Sequence, residues 1–330
     1  MFRMQIQSKK KCIWYCSAAV SFLLFLLLNL WCDHLVNMQD AQQMAGRWSE
    51  KKDVAQISCF FSSKAEVTED TIQSFEYSLK NVLQEASITE TSENPSARLW
   101  VDAYSADGKI TLVNGKNTLD ANAIGIGGDF FLFHPLKLIT GSYFSGNDLM
   151  QDYCIIDQDA AWQLFGSNDV VGMTVYIGNV PHIVTGVVRR PQGRMEKAAG
   201  LTSTVVYVSY ETLETYGTSN GINHYEIVMP NPVDEFAYGK VKDGIGIDEK
   251  NVEIVENSRR YSLPNRMKTV LAFGTRSMNG KAIIYPYWEN LARGYEDIIA
   301  LLTVFMLLLL LYPVVTVIWC FVHWWRHKGW

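Results

Sequence analysis

Several signatures of enzymes are missing from this sequence of 330 residues. It contains no GxxxxGK[ST] loop, with which ATP-binding proteins hold phosphates, and no GxSxG turn, which presents a nucleophilic serine. Its six histidines are scattered, and a zinc site built from His134, His182 and His224 has no ligand spacing to support it. We therefore predict that the chain is not an enzyme and that it holds no metal or cofactor.

A large excess of one sign of charge is also missing. The sequence has 29 Lys and Arg residues against 34 Asp and Glu residues, for a formal net charge of -5 at pH 7. Proteins that bind nucleic acid carry a basic patch or stripe, and the sequence shows none. We predict that the chain has no nucleic-acid partner.

Cysteine is too rare to form a disulfide scaffold. Four of the six cysteines lie in or beside apolar runs: Cys12, Cys16, Cys32 and Cys320. Only Cys59 and Cys154 belong to the globular part, each in a strand-like stretch. A disulfide between them is one alternative in an oxidising compartment. The favoured interpretation is two buried free thiols, which behave as small hydrophobic side chains.

Charge is absent altogether from two long apolar runs. One covers residues 12–32 and the other residues 298–322, and each is long enough to cross the hydrocarbon core of a bilayer. The basic residues that flank the runs lie toward the two ends of the chain: Arg3, Lys9, Lys10, Lys11, Arg326 and Lys328. Because cytoplasmic flanks are enriched in Lys and Arg, both termini are predicted to lie in the cytoplasm.

The chain is predicted to lie in the plasma membrane, and the two runs divide it into five parts. They are a cytoplasmic N-terminus (1–11), a transmembrane helix (12–32), an extracytoplasmic domain (33–297), a second transmembrane helix (298–322) and a cytoplasmic tail (323–330). The lipid bilayer is therefore one predicted partner.

Helical stalks are predicted between each apolar run and the extracytoplasmic domain. Residues 33–48 contain no proline and a single glycine, so the first membrane helix is expected to continue through them. Residues 287–299 also have helical composition, and Pro286 provides a start signal for the helix that enters the second run. Ser17 and Ser21 have the spacing of small residues that lets another helix approach closely.

The first part of the segment between the runs predicts a sheet with a helix packed on it. Residues 53–62 are strand-like, and Thr68 followed by two acidic residues is typical of a helix N-cap. The apolar positions of that helix recur at helical spacing: Ile72, Phe75, Leu79, Val82, Leu83 and Ala86. Residues 97–104 form the next predicted strand, and the dipeptides Asp107-Gly108 and Asn114-Gly115 predict two hairpin turns.

The second part predicts another subdomain of short strands and helices. The predicted strands are 123–127, 153–156, 174–177, 182–188, 204–208, 224–229 and 251–255. The predicted helices are 159–165, 210–216 and 233–241, and residues 129–134 predict a short amphipathic turn or helix. Residues 141–148 and 191–201 predict loops, the latter mobile, and residues 257–281 show no clear pattern. The alternation indicates an α+β fold, with a two-subdomain head of mixed sheets and short helices between two transmembrane helices with stalks.

One block, residues 123–188, resembles a known family. Its sequence contains a Gly-x-x-Phe-x-x-x-Asp loop, an Ala-x-x-Leu-Phe-Gly helix, an Asp-x-x-Gly turn and a final apolar strand. The matching residues are Gly141, Phe144, Asp148, Ala161, Leu164, Phe165, Gly166, Asp169, Gly172, Val175, Ile183, Gly186 and Val187. Their order and spacing resemble the extracytoplasmic (periplasmic) core domain of MacB-like ABC transporter permeases.

The resemblance implies structural roles for these motif residues. Gly166 would stop a helix, Gly172 would make a turn and Gly186 would allow tight packing. Such residues identify a fold and not a catalytic site. The site prediction is therefore limited to eight structural residues: Gly141, Phe144, Asp148, Leu164, Phe165, Gly166, Gly172 and Gly186.

The resemblance also implies a function that needs partners. Permeases of this family have four membrane helices, whereas this sequence shows two apolar runs and no ATPase motif. We predict a non-catalytic membrane subunit of a MacB-like ABC transporter or mechanotransmission system, whose head binds a partner or an exported substrate. An ABC ATPase subunit and a further permease chain are the expected partners, and a homodimer or heterodimer is compatible. The alternative is a stand-alone, membrane-anchored extracellular binding or sensing domain.

Overall fold

A computed structural model describes residues 2–49, 53–89, 98–273 and 283–328 of the chain. The chain forms two compact units. The helical unit comprises Met1–Gln39, Tyr261–Arg276 and Arg293–Trp330. The second unit, which we call the head, comprises Asp40–Arg260 and Ser277–Ala292.

Within the described residues, the secondary structure agrees with most of the sequence patterns. The helices are α1 (Phe2–Asn37), α2 (Met44–Trp48), α3 (Glu69–Glu85), α4 (Phe130–Phe133), α5 (Gln158–Phe165), α6 (Arg194–Ala198), α7 (Tyr210–Tyr216), α8 (Phe236–Gly244), α9 (Leu263–Leu271) and α10 (Tyr287–Lys328). The strands are β1 (Val54–Phe61), β2 (Val101–Asn114), β3 (Asn117–Gly128), β4 (Lys137–Gly141), β5 (Tyr153–Asp157), β6 (Thr174–Ile177), β7 (Val180–Arg189), β8 (Val205–Ser209), β9 (Thr218–Ser219), β10 (His224–Pro230) and β11 (Val252–Glu256).

The head is built on a mixed sheet that contains strands from both predicted parts. The strand order is β11-β1-β10-β2-β3-β8-β5-β7-β4, while β6 pairs with β2 and β7, and β9 pairs with β2. The pairs β3–β8 and β5–β7 are parallel, and the other described pairs are antiparallel. The α+β fold class is confirmed, and one sheet joins the two parts that the sequence divides into subdomains.

The two faces of this sheet each carry a hydrophobic cluster. Odd-numbered residues of β1, such as Ile57 and Cys59, belong to one cluster, together with Tyr225 of the neighbouring strand β10. Val228 of β10 belongs to the other cluster, which also contains Phe130 and Trp288. This division follows from the pleat of a strand, in which successive side chains point to opposite faces.

Helix α3 packs one apolar stripe on the first cluster. Ile72, Phe75, Leu79 and Leu83 are buried there, as their helical spacing predicts. Val82 is only half-buried, and Ala86 is exposed just beyond the last residue of the helix. The stripe is thus narrower than predicted, because positions 82 and 86 lie to one side of the line of contact.

The predicted hairpin turn at Asp107-Gly108 is wrong. Both residues lie within β2, opposite Ile124 and Ala123 of β3. A Cβ atom on Gly108 would overlap the Thr218 carbonyl oxygen and the Leu213 side chain, so the glycine permits close approach of β9 and α7. The second predicted turn is confirmed, since β2 ends at Asn114 and Gly115 adopts a φ of 60°.

The predicted continuous stalk through residues 33–48 is also wrong. Helix α1 ends at Asn37, and a 3₁₀ turn (Asp40–Gln42) precedes the short helix α2. The chain breaks here because α2 is part of the core: Met44 is buried, and its backbone N–H donates to Oε1 of Gln56 at 2.9 Å. The helix predicted after Pro286 is confirmed, since α10 begins at Tyr287.

Three further segments differ from the sequence prediction or add to it. The predicted loop 141–148 is preceded by an unpredicted strand, β4, and the predicted mobile loop 191–201 contains the short helix α6. The unassigned stretch 257–281 contains a 3₁₀ turn (Asn257–Arg259) and α9, and its residues 274–281 lie outside the described part.

The two cysteines of the head are free thiols. Cys59 and Cys154 are both fully buried and form no disulfide. Burial raises the pKa of the Cys154 thiol to about 12 and raises that of Cys59 as well, so neither forms a reactive thiolate at neutral pH.

Among the residues that the structure describes, α1 and α10 each contain a segment long and apolar enough to cross a membrane. These segments are Cys12–Asn37, with a mean hydropathy of 2.0, and Tyr287–Arg326, with a mean hydropathy of 2.8. Ser21 donates to the Leu309 carbonyl at 2.7 Å, and the Ser17 hydroxyl lies 2.7 Å from that of Tyr312. The helix that approaches the small residues of α1 is therefore α10.

Candidate functional site

The eight predicted motif residues do not converge on one site. Gly141 of β4 pairs with Gly186 of β7, and a Cβ atom on Gly141 would lie 2.8 Å from the Gly186 Cα. Leu164 is buried in α5, the half-buried Phe165 packs against the same cluster, and Gly166 ends the helix with a φ of 72°. The remaining three lie in loops: Phe144, Asp148 and Gly172.

The described contacts of the three loop residues are ring packing and backbone hydrogen bonds. Phe144 is buried edge-on to Phe131, with ring centroids 5.7 Å apart, and Oδ2 of Asp148 accepts the backbone N–H of Ser145 at 2.9 Å. The backbone N–H of Gly172 donates to the Val184 carbonyl at 2.8 Å. These contacts are those of residues that support local packing and turns, and that role stays a prediction.

A cluster of buried polar side chains instead lies on the sheet face that carries Trp288. His224 and Glu226 are alternate residues of β10 and therefore point to the same face, while His134 follows α4. Nε2 of His134 lies 2.7 Å from Oε2 of Glu226, and Nε2 of His224 lies 3.5 Å from Oε1. We call these three residues the His–Glu–His cluster.

The register of the strands completes the surroundings of this cluster. Ser58 of β1 lies directly opposite Glu226, and its hydroxyl donates to Oε1 of Glu226 at 2.5 Å. Ser105 of β2 lies opposite His224, with its hydroxyl 3.3 Å from Nδ1 of the imidazole. The Trp288 ring covers both imidazoles, with centroid distances of 4.3 Å to His134 and 5.2 Å to His224.

From Ser58 the network continues to the first turn of α10. Nδ2 of Asn257 donates to the Ser58 hydroxyl at 2.6 Å, and Oδ1 of Asn257 accepts from Arg260 at 3.2 Å. Arg260 then forms two parallel bonds of 2.7 Å each to the carboxylate of Glu289. Both charged side chains are about 98–99% buried, so the pair is a desolvated, bidentate ion pair.

The electrostatics favour an ionised Glu226. Burial alone would raise its pKa, but the neighbouring His134 and His224 rings outweigh this effect and hold the pKa below its usual range. Burial lowers the pKa of His134, against the opposing charge of Glu226. A carboxylate therefore lies in a dry environment between two imidazoles, where an unbalanced charge is costly.

The comparisons with known proteins identify the family. The model of one family, described as the MacB-like periplasmic core domain, matches residues 38–256, which is more than half of the chain. The chain therefore belongs to the family of MacB-like periplasmic core domains.

Curated relatives share a limited segment with the chain. The macrolide export ATP-binding/permease protein MacB of Pasteurella multocida is 31% identical over 83 residues, which cover 24% of this chain and 13% of the relative. That of Chromobacterium violaceum is 31% identical over 96 residues, covering 28% of this chain and 14% of the relative. The matched segment is thus less than a sixth of the length of these relatives.

Solved structures of similar proteins are more distant. The periplasmic region of MacB from Actinobacillus actinomycetemcomitans has a TM-score of 0.42 and 20% identity, covering 67% of this chain and 94% of that chain. The extracellular domain of the noncanonic ABC-type transporter YknZ from Gram-positive bacteria has a TM-score of 0.38 and 20% identity, covering 61% and 99%. Membership of the family and the two apolar helices together indicate a membrane protein with an extracytoplasmic domain.

The polar network is the part of the head that the sequence patterns missed. His134 and His224 are far apart in the chain, so no ligand spacing could pair them. Arg260 lies in the stretch without a clear pattern. One signal was available: His224 and Glu226 alternate in the otherwise apolar strand β10, which places two polar side chains on one face of a buried strand.

We predict that breaking the Arg260–Glu289 pair destabilises the head strongly. Arg260→Met leaves a buried carboxylate without its cation, which costs about 3–5 kcal/mol. The double variant Arg260→Met/Glu289→Met removes both charges and is expected to recover most of that loss. The measurement is urea unfolding of the full chain in detergent, followed by circular dichroism.

The neighbouring residue provides a matched control. Arg259 pairs with Asp234 at 3.1 Å, but the two side chains are 41% and 83% exposed. Arg259→Met is therefore expected to cost less than about 1 kcal/mol. Equal losses from Arg259→Met and Arg260→Met would contradict the importance of the buried pair.

A second prediction concerns the motif glycines. Both Gly141 and Gly166 have positive φ values, 82° and 72°, but only Gly141 faces backbone atoms that a Cβ would overlap. We expect Gly166→Ala to cost about 1–2 kcal/mol from its left-handed conformation. Gly141→Ala should cost about 1–3 kcal/mol more, because the overlap must be relieved. The same unfolding measurement compares them, and equal losses would show that packing at Gly141 contributes nothing beyond the backbone conformation.

Proposed function

We propose that the chain is a non-catalytic membrane subunit of a MacB-like ABC transporter or mechanotransmission system. In this function the head binds a partner or an exported substrate outside the cytoplasm, and α10 carries movement between the head and the membrane. The observation that carries the proposal is the bidentate Arg260–Glu289 pair, which holds the first turn of α10 to the polar network of the sheet.

The network supports this function because it is continuous and costly to break. Glu226 of β10, Ser58 of β1 and Asn257 are joined by hydrogen bonds of 2.5 and 2.6 Å, and Asn257 contacts Arg260. Trp288, the residue before Glu289, is itself buried against the His–Glu–His cluster. A displacement of the central strands would therefore displace the start of α10. If α10 did not follow, the buried charges of Arg260 and Glu289 would lose their pairing.

The proposal includes a membrane topology. Residues 12–32 and 298–322 would cross the bilayer, with residues 1–11 and 323–330 in the cytoplasm and residues 33–297 outside. The support is the length and hydropathy of α1 and α10 together with the basic residues outside each apolar run.

We predict that thiol labelling of intact cells distinguishes the two sides. Ser145→Cys, at an exposed position of the head, should react with a membrane-impermeant maleimide in spheroplasts. Ser8→Cys should react only after lysis, because the N-terminus would be cytoplasmic. Labelling of the unmodified chain gives the background from its native cysteines. Reaction of Ser8→Cys in intact spheroplasts would overturn the topology.

The proposed partners are an ABC ATPase subunit and a further permease chain. The relatives support this because their names combine ATP binding with a permease in one protein. In such an assembly the head would provide a binding and coupling part, and the ATP-hydrolysing part would lie in a partner chain.

We predict that affinity purification of the full chain from its native membranes retains a protein with a GxxxxGK[ST] motif. Mass spectrometry identifies the retained chains, and ATP hydrolysis by the complex checks that the ATPase is functional. The double variant Arg260→Met/Glu289→Met should still bind the ATPase but lose coupled transport in vesicles. Arg259→Met is the control and should keep both properties. Recovery of the full chain without any ATPase would favour a membrane-anchored sensing domain instead.

A further inference from the structure

The His–Glu–His cluster contains polar atoms that the rest of the head does not satisfy. Within the described residues, Nε2 of His134, Nε2 of His224 and Oε2 of Glu226 each lack a hydrogen bond of ordinary geometry, although the nearest pair is 2.7 Å apart. All three side chains are at least 97% buried. Buried polar atoms are normally hydrogen-bonded, and each unsatisfied one costs about 1–3 kcal/mol.

The three side chains form a compact set of candidate metal ligands. One ligand atom from each residue lies within 4.8 Å of the other two. Two atoms bound to one tetrahedral zinc ion are separated by roughly 3.4 Å, given bond lengths of about 2.0–2.2 Å. Nε2 of His224 lies 3.5 Å from Oε1 of Glu226, which agrees with this value. Nε2 of His134 lies 2.7 Å from Oε2, the other carboxylate oxygen, and these two atoms must move apart when the ion binds.

Residues around the cluster hold the ligands in place. Nδ1 of His224 faces the Ser105 hydroxyl at 3.3 Å, and the Ser58 hydroxyl donates to Oε1 of Glu226. Outer partners of this kind orient the histidine and carboxylate ligands of metal sites. Trp288 and Phe130 pack on the imidazoles, with Phe130 4.6 Å from His134. Three protein ligands leave the fourth position of a tetrahedral ion open, and the packed rings limit the access of solvent to it.

We propose that His134, His224 and Glu226 bind one divalent transition-metal ion, and that zinc is the ion to which this ligand set is suited. Two imidazole nitrogens and one carboxylate oxygen are ligands of zinc, whereas magnesium and calcium select oxygen ligands. The ion balances the buried Glu226 carboxylate and joins the residue after α4 to β10. It therefore stabilises the sheet face from which the network runs to Glu289.

The first test uses the unmodified full chain, purified in detergent without a histidine tag. After dialysis against a chelator and then against chelator-free buffer, the chain is titrated with zinc sulfate. We expect one tightly bound equivalent of zinc by mass spectrometric metal analysis, and a melting temperature that falls on chelation and recovers on zinc addition. No tightly bound equivalent, or a melting temperature that neither chelator nor zinc changes, would overturn the proposal.

The second test identifies the ligands. We expect His224→Gln and Glu226→Gln to lower the zinc affinity about 100-fold or more. His182→Gln is the control and should retain the zinc affinity. His182 is also buried, but it lies outside the cluster, with its nitrogens 3.0 Å from the Val180 carbonyl and 3.1 Å from the Thr212 hydroxyl. Retention of the zinc by His224→Gln would overturn the assignment.

Cobalt provides a measurement that needs no variant. A cobalt ion held by two imidazoles and a carboxylate shows visible d–d bands without a thiolate charge-transfer band. The cysteines near the membrane segments would give that thiolate band instead. A thiolate spectrum for the single tight equivalent would therefore place the metal elsewhere and contradict the proposal, even where a variant fails to fold.

Discussion

Burial of the Arg260–Glu289 ion pair is the interaction on which the start of α10 depends. Two full charges lie in a dry part of the head, where their desolvation costs several kcal/mol per ion. The bidentate geometry and the bonds that Arg260 donates to Oε1 of Gln42 and Oδ1 of Asn257 help to offset that cost. The pair therefore adds little net stability, but it favours this position of the first turn of α10, because a shift of the turn that separates the charges would leave them buried and uncompensated.

Local patterns in the sequence predict much of the head. Helix α3 follows from the Thr68 cap and its apolar stripe, and Gly166 ends α5 where the sequence indicates. Asp107-Gly108 shows the limit of such patterns. An Asp-Gly dipeptide favours a hairpin turn, but its glycine also occurs inside a strand where another segment packs closely. Which of these two uses applies depends on β9 and α7, which come more than a hundred residues later in the chain.

The polar network could not be derived in the same way. Its members come from β1, β2, β10, the residue after α4, the 3₁₀ turn at Asn257 and the start of α10. They meet only because β10 lies between β1 and β2, a strand order that local periodicity does not contain. The family resemblance instead identifies glycines and apolar residues. The glycines and apolar residues of the motif identify the fold, whereas the polar residues of the network lie outside that motif.

The pairing of Ser58 with Glu226 across β1 and β10 also bears on how the chain avoids misfolding. A shift of one residue between these central strands would turn every side chain of one strand toward the opposite hydrophobic cluster. Gln56 and Ser58 would then enter a cluster lined by Ile57, Cys59 and Tyr225 in the native fold, with their hydrogen bonds lost. Such a slipped sheet could retain most of its backbone bonds but would bury unpaired polar groups. The network therefore penalises a slipped register, because each buried polar group that loses its partner costs free energy.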